Sequence, residues 1–512
     1  MPAERVNLRS YLSLIWKQLL RINGVTSDNL KARGIKESLV ATLVWFAYTL
    51  FIALPDGLSS KISTINLENN ASAHSIRVAW GPGDAGSLLD IALTWSKLKQ
   101  LDPVTQYWVP HLWSPGISVI EVPLIWLEHI GIPIFWTLLI LTLALWATIF
   151  FIIWRYYSSN TGRVPIILAA SSVYWNWDMR YMFHDFIFYT EGIGFGLLIL
   201  SLMLISRAII YSRPINNYEV YVGGLLLGGS IWVRHTSDSG LILLLFLSLS
   251  LGIFYTLSFK KRFVKKQNTS KEPSKNSRNE KNFNQIVNWW KQESQISKFA
   301  VIGCIFTFPW RLISTFVYHG APLLMSSAAA GLSSSIWAKP GSPTDNFWGS
   351  YGMNWACKID LKTCLAILDP PEDVAGRGSL LILGIKTAIT HPFSYLQERI
   401  HYLVLNWIPS FHFNISPPNV IAILLLVSPV FMVWIFFKVI TLNRFLILLI
   451  WMPFLIMNGL QLTMIHYESR YFIPVRLLIL GTILNLLFLY RSEKILFATS
   501  PSTKKSSKVH IS

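Results

Sequence analysis

Four short stretches of this 512-residue chain concentrate groups that can move protons or hold anions. The first is "WGPGDAGSLLDIALTWSKLKQLDP", residues 80–103. Gly81, Pro82 and Gly83 make a turn there, and Asp84 follows where a helix would begin. Asp90, Lys97 and Lys99 lie further along it. The second is "WNWDMRYMFHDFIFYTEGIGFG", residues 175–196, with Asp178, Arg180, His184, Asp185 and Glu191. The third is "WVRHTSDSG", which holds Arg234, His235 and Asp238. The fourth is "HYESRYFIPV", which packs His466, Glu468, Arg470 and Tyr471 into six positions. Carboxylates can take a proton from a hydroxyl. Guanidinium groups suit two-pronged contacts to phosphate or carboxylate. Simpler readings stand beside these. Asp84 suits a helix N-cap, Glu468 and Arg470 can pair with each other, and long cationic side chains reach from apolar surface to water.

The elements that position these stretches are apolar. Hydrophobic residues make up 52% of the chain, mean hydropathy is +0.44, and 14% of residues are charged. A soluble domain carries roughly 25% charged residues. Apolar runs recur at roughly 39–55, 132–154, 163–177, 186–210, 217–233, 239–258, 298–317, 418–438, 444–464 and 472–490. Most approach the ~20 residues an apolar helix needs to cross a bilayer. The expected class is an all-α polytopic membrane protein with about 10–12 transmembrane helices, multi-pass and in a bacterial inner membrane.

The formal charge of +18 belongs to topology rather than to nucleic acid. Lys260 to Lys298 holds eleven Lys and Arg against three acidic residues, between two apolar runs. Positive charge beside a span marks the cytoplasmic side. With the N-terminus inside, alternating spans also put Arg155, Arg207, Arg213, Arg444 and the tail inside. The expected organisation has four parts. Residues 1–38 form a cytoplasmic segment in which "RSYLSLIWKQLLRI" reads as an interfacial helix. Residues 39–490 form the membrane domain, with large outer loops at about 56–131 and 318–417. Within it, 259–297 is a basic cytoplasmic linker whose composition predicts disorder. Residues 491–512 are a basic tail. The run at 115–130, short and carrying Glu121 and Glu128, reads as a re-entrant or interfacial helix. All four reactive stretches then fall on the outer face.

Of three cysteines, Cys304 lies in an apolar span as inert packing. Cys357 and Cys364, in "CKIDLKTC", are candidates for a disulfide in the second outer loop. No histidine pattern beside them supports zinc.

The motifs, taken in order, resemble those of the GT-C superfamily of membrane glycosyltransferases. That class includes the dolichyl-phosphate-mannose protein mannosyltransferases and the lipid A aminoarabinose transferases. "GDAGSLLDIA" resembles the acidic opening of the family's first outer loop. "LLLGGSIWVRHTSDSGLILLL" resembles its glycine-bearing span ending in arginine. "FPWRLISTFVYHGAPLLMSS" is similar to its Pro-Trp exit into the main loop, and "AITHPFSYLQERI" to the helix closing that loop. "HYESRYFIPV" resembles its late His and Arg-Tyr signature. Two departures stand out: Asp84 is followed by Ala85 rather than a second acid, and Arg311 by Leu312 rather than asparagine.

The resemblance implies a GT-C-like fold and transfer of a sugar from a polyprenyl-phosphate carrier to an acceptor hydroxyl at the outer face. It implies Asp84 as base and Asp185 as second carboxylate, orienting the acceptor or a divalent cation. It implies Arg234, His466 and Arg470 as ligands of the lipid phosphate, with His235 and Arg311 in reserve and Tyr471 or Glu468 aligning Arg470. The acceptor, whether lipid, glycan or protein, and the metal requirement are not carried over. Two other functions fit a polytopic chain with large outer loops: a transporter or flippase for a lipid-linked saccharide, and a polysaccharide polymerase or ligase.

Overall fold

The computed structural model describes residues 116–132, 134–161, 190–211, 213–269, 277–316, 442–464 and 474–486, with isolated residues within 38–47, 88–96 and 386–397 and at 489. The described residues form helices and short turns, with no strand among them. In chain order the helices are α1 (Gly116–His129), α2 (Ile134–Thr161), α3 (Glu191–Ile210), α4 (Asn217–Val233), α5 (Asp238–Thr269), α6 (Ser277–Phe316), α7 (Leu442–Met464) and α8 (Pro474–Leu486). Segments of α2 and α3, and one from His235 into α5, are long and apolar enough to cross a membrane. The chain is thus a helical membrane protein on these spans, as its composition predicts. The expected spans at 163–177 and 418–438 lie outside the described residues.

α4 is central and has few side chains on one side. It packs against α3, α6 and α1. Its "GGLLLGG" run puts Gly224 and Gly228 four residues apart, on one helical face. A Cβ at Gly224 would lie 2.7 Å from the Ile302 side chain and 3.0 Å from the Phe299 carbonyl oxygen. At Gly228 it would lie 2.7 Å from Phe306. Small residues at this spacing let two helix backbones approach closely, which is how apolar helices associate where lipid removes the hydrophobic drive. The Ser201 hydroxyl on α3 donates to the Gly223 carbonyl at 2.8 Å. The start of α4 is fixed as firmly. Asn216 caps it in a reciprocal capping box with Glu219, and Arg213 Nη1 donates to Glu219 at 2.8 Å.

The remaining helices close around this centre. Trp146 of α2 donates to the Gly192 carbonyl of α3 at 2.9 Å. Trp451 of α7 donates to the Ser206 hydroxyl of α3 at 2.8 Å. α7 also packs on α5, where Phe454 lies against Gly240. Trp146, Trp451, Phe195, Phe299 and Phe454 are the largest fully buried side chains.

The basic segment 259–297 differs from expectation. Helix α5 runs on to Thr269 and α6 begins at Ser277, so most of the segment is helical rather than disordered. Lys, Arg, Glu and Gln are good helix formers. In the second half of the segment Trp289, Glu293 and Ile296 follow at helical spacing and are all buried. Gln292 Nε2 donates to the Arg213 carbonyl at 3.4 Å, which ties α6 to the start of α4. The run at 115–130 is a helix, as expected. Only α1's 14 residues lie in it, with Pro123 inside.

The glycine face yields a stability prediction. Gly224→Val drives two methyl groups into Ile302 and a backbone carbonyl that cannot rotate away. It should cost about 1–3 kcal/mol, the usual range for overpacking, and lower the melting temperature in detergent. Val at Leu225, whose side chain is exposed, is the control and should leave it near wild type. Equal melting of both variants would disprove the close α4–α6 contact.

Candidate functional site

Arg234, His235 and Asp238 follow one another around the corner between α4 and α5. Arg234 caps α4 in extended conformation, its N–H donating to the Ser230 carbonyl at 2.7 Å. His235–Ser237 form a single 3-10 turn, and Asp238 starts α5. Arg234 and Asp238 are both buried, at 7% and 0% exposure.

Each has a charged partner on a neighbouring helix. Arg234 Nη1 lies 2.6 Å from Glu191 Oε1 and donates to the Thr190 hydroxyl at 2.8 Å. The Thr190 hydroxyl in turn donates to Glu191 Oε2 at 3.4 Å. Thr190 is the N-cap of α3 but makes no side-chain cap bond there; its hydroxyl bonds within the ion pair instead. The guanidinium carbon sits 5.2 Å from the centre of the Phe195 ring, close enough for cation–π attraction. A Cβ at Gly194 would lie 2.8 Å from the Arg234 Cβ, so glycine is what admits the arginine. On the other side of the corner Arg311 of α6 forms an ion pair with Asp238, and its Nε donates to the Thr307 hydroxyl at 3.1 Å.

The two pairs share one plan. In the hairpin of α3 and α4, the acid is the first residue of the first helix and the arginine closes the second. In the hairpin of α5 and α6, Asp238 is the first residue and Arg311 lies near the end of α6. Acids at helix N-termini and cations at C-termini also suit the helix dipoles.

Aromatic packing joins the two hairpins. Trp232, two residues before Arg234, donates its indole N–H to the Phe306 carbonyl at 3.0 Å. Its ring meets Phe306 and Trp310 at centroid distances of 6.1 and 6.2 Å. Pro309, which lacks an N–H, lies inside α6 beside this contact. The start of α1 reaches the same corner. A Cβ at Gly116 would lie 2.4 Å from the Trp232 carbonyl carbon and 2.6 Å from the Val233 nitrogen, so the two backbones touch. Ser118 donates to the Leu88 carbonyl at 2.8 Å. Leu88 belongs to the stretch that follows Asp84, which α1 thereby ties to the Arg234 corner.

Of the sequence-predicted site residues, Arg234 and His235 are therefore neighbours at this corner, and Arg311 is held by Asp238 at the start of α5. Asp84, Asp185, His466, Arg470 and Tyr471 lie outside the described residues, as do Cys357 and Cys364. The sequence reading assigned no ion-pair role to Glu191 or Asp238. The signal was present, because an acid opens one apolar run and an arginine closes the next. Glu121 and Arg444, noted in the sequence only for the 115–130 run and for topology, and Arg476, not singled out there, are all buried at 4% exposure or less. No group of three or more His, Cys, Asp or Glu able to hold a metal occurs among the described residues. Cys304 is free and partly buried, packed against the apolar core.

The pairing sets what the corner can do. A buried arginine already neutralised by a carboxylate attracts an incoming anion only if the anion replaces that carboxylate, or if both arginines lean on it together. No family model, curated protein or solved structure matches this chain.

The ion pair yields a prediction by difference. Glu191→Ala leaves Arg234 charged, buried and without its acid, which costs about 3–5 kcal/mol. Replacing both partners with apolar residues, Glu191→Leu with Arg234→Met, should be far milder because no charge is stranded. Melting in detergent distinguishes them. A double variant as unstable as Glu191→Ala would show that the loss comes from packing rather than from stranded charge.

Proposed function

We propose that this protein is a multi-pass GT-C-like glycosyltransferase that moves a sugar from a polyprenyl-phosphate carrier to an acceptor hydroxyl at the outer membrane face. The observation that carries this reading is the α4–α5 corner. Arg234 ends α4 there next to His235, and Arg311, from the other hairpin, pairs with Asp238 where α5 begins. The link from Ser118 to Leu88 supports it by tying α1, which touches that corner, to a residue four positions after Asp84.

The chemistry asks for few groups. The acceptor oxygen attacks the anomeric carbon as the bond from that carbon to the phosphate oxygen breaks. The configuration inverts and the polyprenyl phosphate departs with the bonding electrons. Asp84 takes the hydroxyl proton, and Asp185 orients the acceptor or a divalent cation. Arg234, His466 and Arg470 hold the departing phosphate, with His235 and Arg311 nearby and Tyr471 aligning Arg470. Cations placed where negative charge develops stabilise the transition state more than the ground state. Glu191 and Asp238 keep the corner arginines oriented until the phosphate arrives.

A sugar-transfer assay with a polyprenyl-phosphate donor, run beside a separate donor-binding measurement, tests this. Asp84→Asn should cut turnover by ~10²–10⁴, the scale of a lost general base, and leave donor binding near wild type. Arg470→Lys keeps the charge and loses the planar fork, so it should weaken donor binding instead. Transfer at the wild-type rate by Asp84→Asn would reduce Asp84 to a helix cap. Donor binding with no transfer to any acceptor, and carrier movement across the bilayer in vesicles, would favour the flippase reading.

Orientation is tested separately. Single cysteines placed by Ser274→Cys and Ser342→Cys, in a chain lacking the native three, should react differently with a membrane-impermeant thiol reagent. Ser342→Cys should label in intact cells and Ser274→Cys only after permeabilisation. The reverse pattern would overturn the topology.

A further inference from the structure

Glu121 sits within α1 at 0% exposure, and both its carboxylate oxygens lack a hydrogen-bond partner among the described residues. The other deeply buried carboxylates of the core differ. Glu191, Glu219 and Asp238 each meet an arginine, and Glu293 accepts from the Ser297 hydroxyl at 2.9 Å. An ionised carboxylate sealed from water with no counter-charge costs several kcal/mol or more, and such a group neutralises instead. Burial accordingly holds the Glu121 carboxyl well above the usual carboxylate range.

The surroundings narrow what can neutralise it. α1 packs on α2 and α4 and touches the 88–96 stretch. Charged groups described on those elements are Arg155 near the end of α2, Glu219 at the start of α4 and Arg234 at its end. Glu219 and Arg234 have partners of their own. Arg155 lies 21 residues along α2 from Ile134, and no bond to Glu121 involves any of the three. The described residues of the 88–96 stretch, Leu88, Ile91, Ala92, Leu93, Trp95 and Ser96, carry no charge. On α1 itself Glu128 is the other acid, pushed by burial up to about 7. A metal cation needs several oxygen ligands at once, and no acidic or histidine cluster is described here. A proton needs neither room nor further ligands.

We propose that Glu121 is a proton-binding site: its carboxyl carries a proton whenever α1 is seated against α2 and α4, and unseating α1 releases that proton to water. The site is independent of sugar transfer. Its location gives it consequence, because Gly116 and Ser118 on the same helix join the Arg234 corner to the stretch after Asp84. The protonation of Glu121 and the seating of that contact are one equilibrium.

The sign follows from linkage. Well below the ordinary glutamate pKa of about 4.3, the group is neutral whether α1 is seated or not. As pH rises, only the unseated or unfolded form ionises, so the seated form loses relative stability until its own titration point is passed.

The test uses the full chain in detergent and two neutral replacements, Glu121→Gln and Glu121→Met. Met matches the volume without a polar atom, so it should melt at or above the wild-type temperature at neutral pH. Its advantage over wild type should widen from about pH 4.5 to about pH 8. Glu128 titrates equally in both chains and cancels in the difference. At about pH 8, where Glu128 is largely ionised, the infrared carbonyl band of a protonated acid should be weaker in both variants than in wild type. Strong destabilisation by Met and Gln alike, or failure of both to fold, would overturn the proposal, since it would mean an ionised Glu121 with a cationic partner. A melting difference that does not change with pH, or a sodium-dependent stabilisation lost in Glu121→Met, would overturn it too.

Discussion

A charge shut away from water must be matched within hydrogen-bond reach, and this requirement shapes the centre of the molecule. Arg234 cannot occupy its 7%-exposed place at the end of α4 without Glu191. Glu191 cannot open α3 in the core without Arg234. Meeting that demand fixes how α3 lies on α4, because the acid must stand level with the arginine. The same demand between Asp238 and Arg311 fixes α5 against α6. The glycine face of α4 then lets α6 close on it, and Trp232 binds the two hairpins through the Phe306 carbonyl. Dispersion and close packing hold the helices together; the ion pairs determine which arrangement they hold.

Under the proposed function those pairs have a second use. A phosphate carries more charge than a carboxylate and has more oxygens for a guanidinium to grip. An arginine already desolvated and oriented by an acid needs little rearrangement when a phosphate replaces that acid. Such preorganisation is where electrostatic catalysis gains its strength. The carboxylate set free in the exchange would then stand beside the reacting centre, where a second acid is useful.

Much of the architecture was legible in the residue pattern because apolar length is a one-dimensional signal. The run 217–233 coincides with α4, and 444–464 falls inside α7. The reading of 259–297 failed where charge density was taken as disorder. The helical spacing of Trp289, Glu293 and Ile296 was the contrary signal. At the site, residue type marked Arg234, His235 and Arg311 as unusual but could not show their partners. Glu191 is 43 positions from Arg234 and Asp238 is 73 from Arg311. Only the packing of the helices brings such distant residues together. Glu121 is visible in the 115–130 run, but an acid within an apolar run looks the same in sequence whether it is paired or alone.

The acid-first, arginine-last plan of the two hairpins also bears on how the chain is made. A ribosome delivers Glu191 well before Arg234, and both before Asp238 and Arg311. Because each pair closes within one hairpin, each charge meets its counter-charge as soon as the second helix of that hairpin emerges. No step of synthesis then has to hold an unmatched ion in lipid while a distant domain is still being translated. The unit that enters the bilayer would be the hairpin with its buried pair matched rather than the single helix, with the α4–α5 corner joining two finished units.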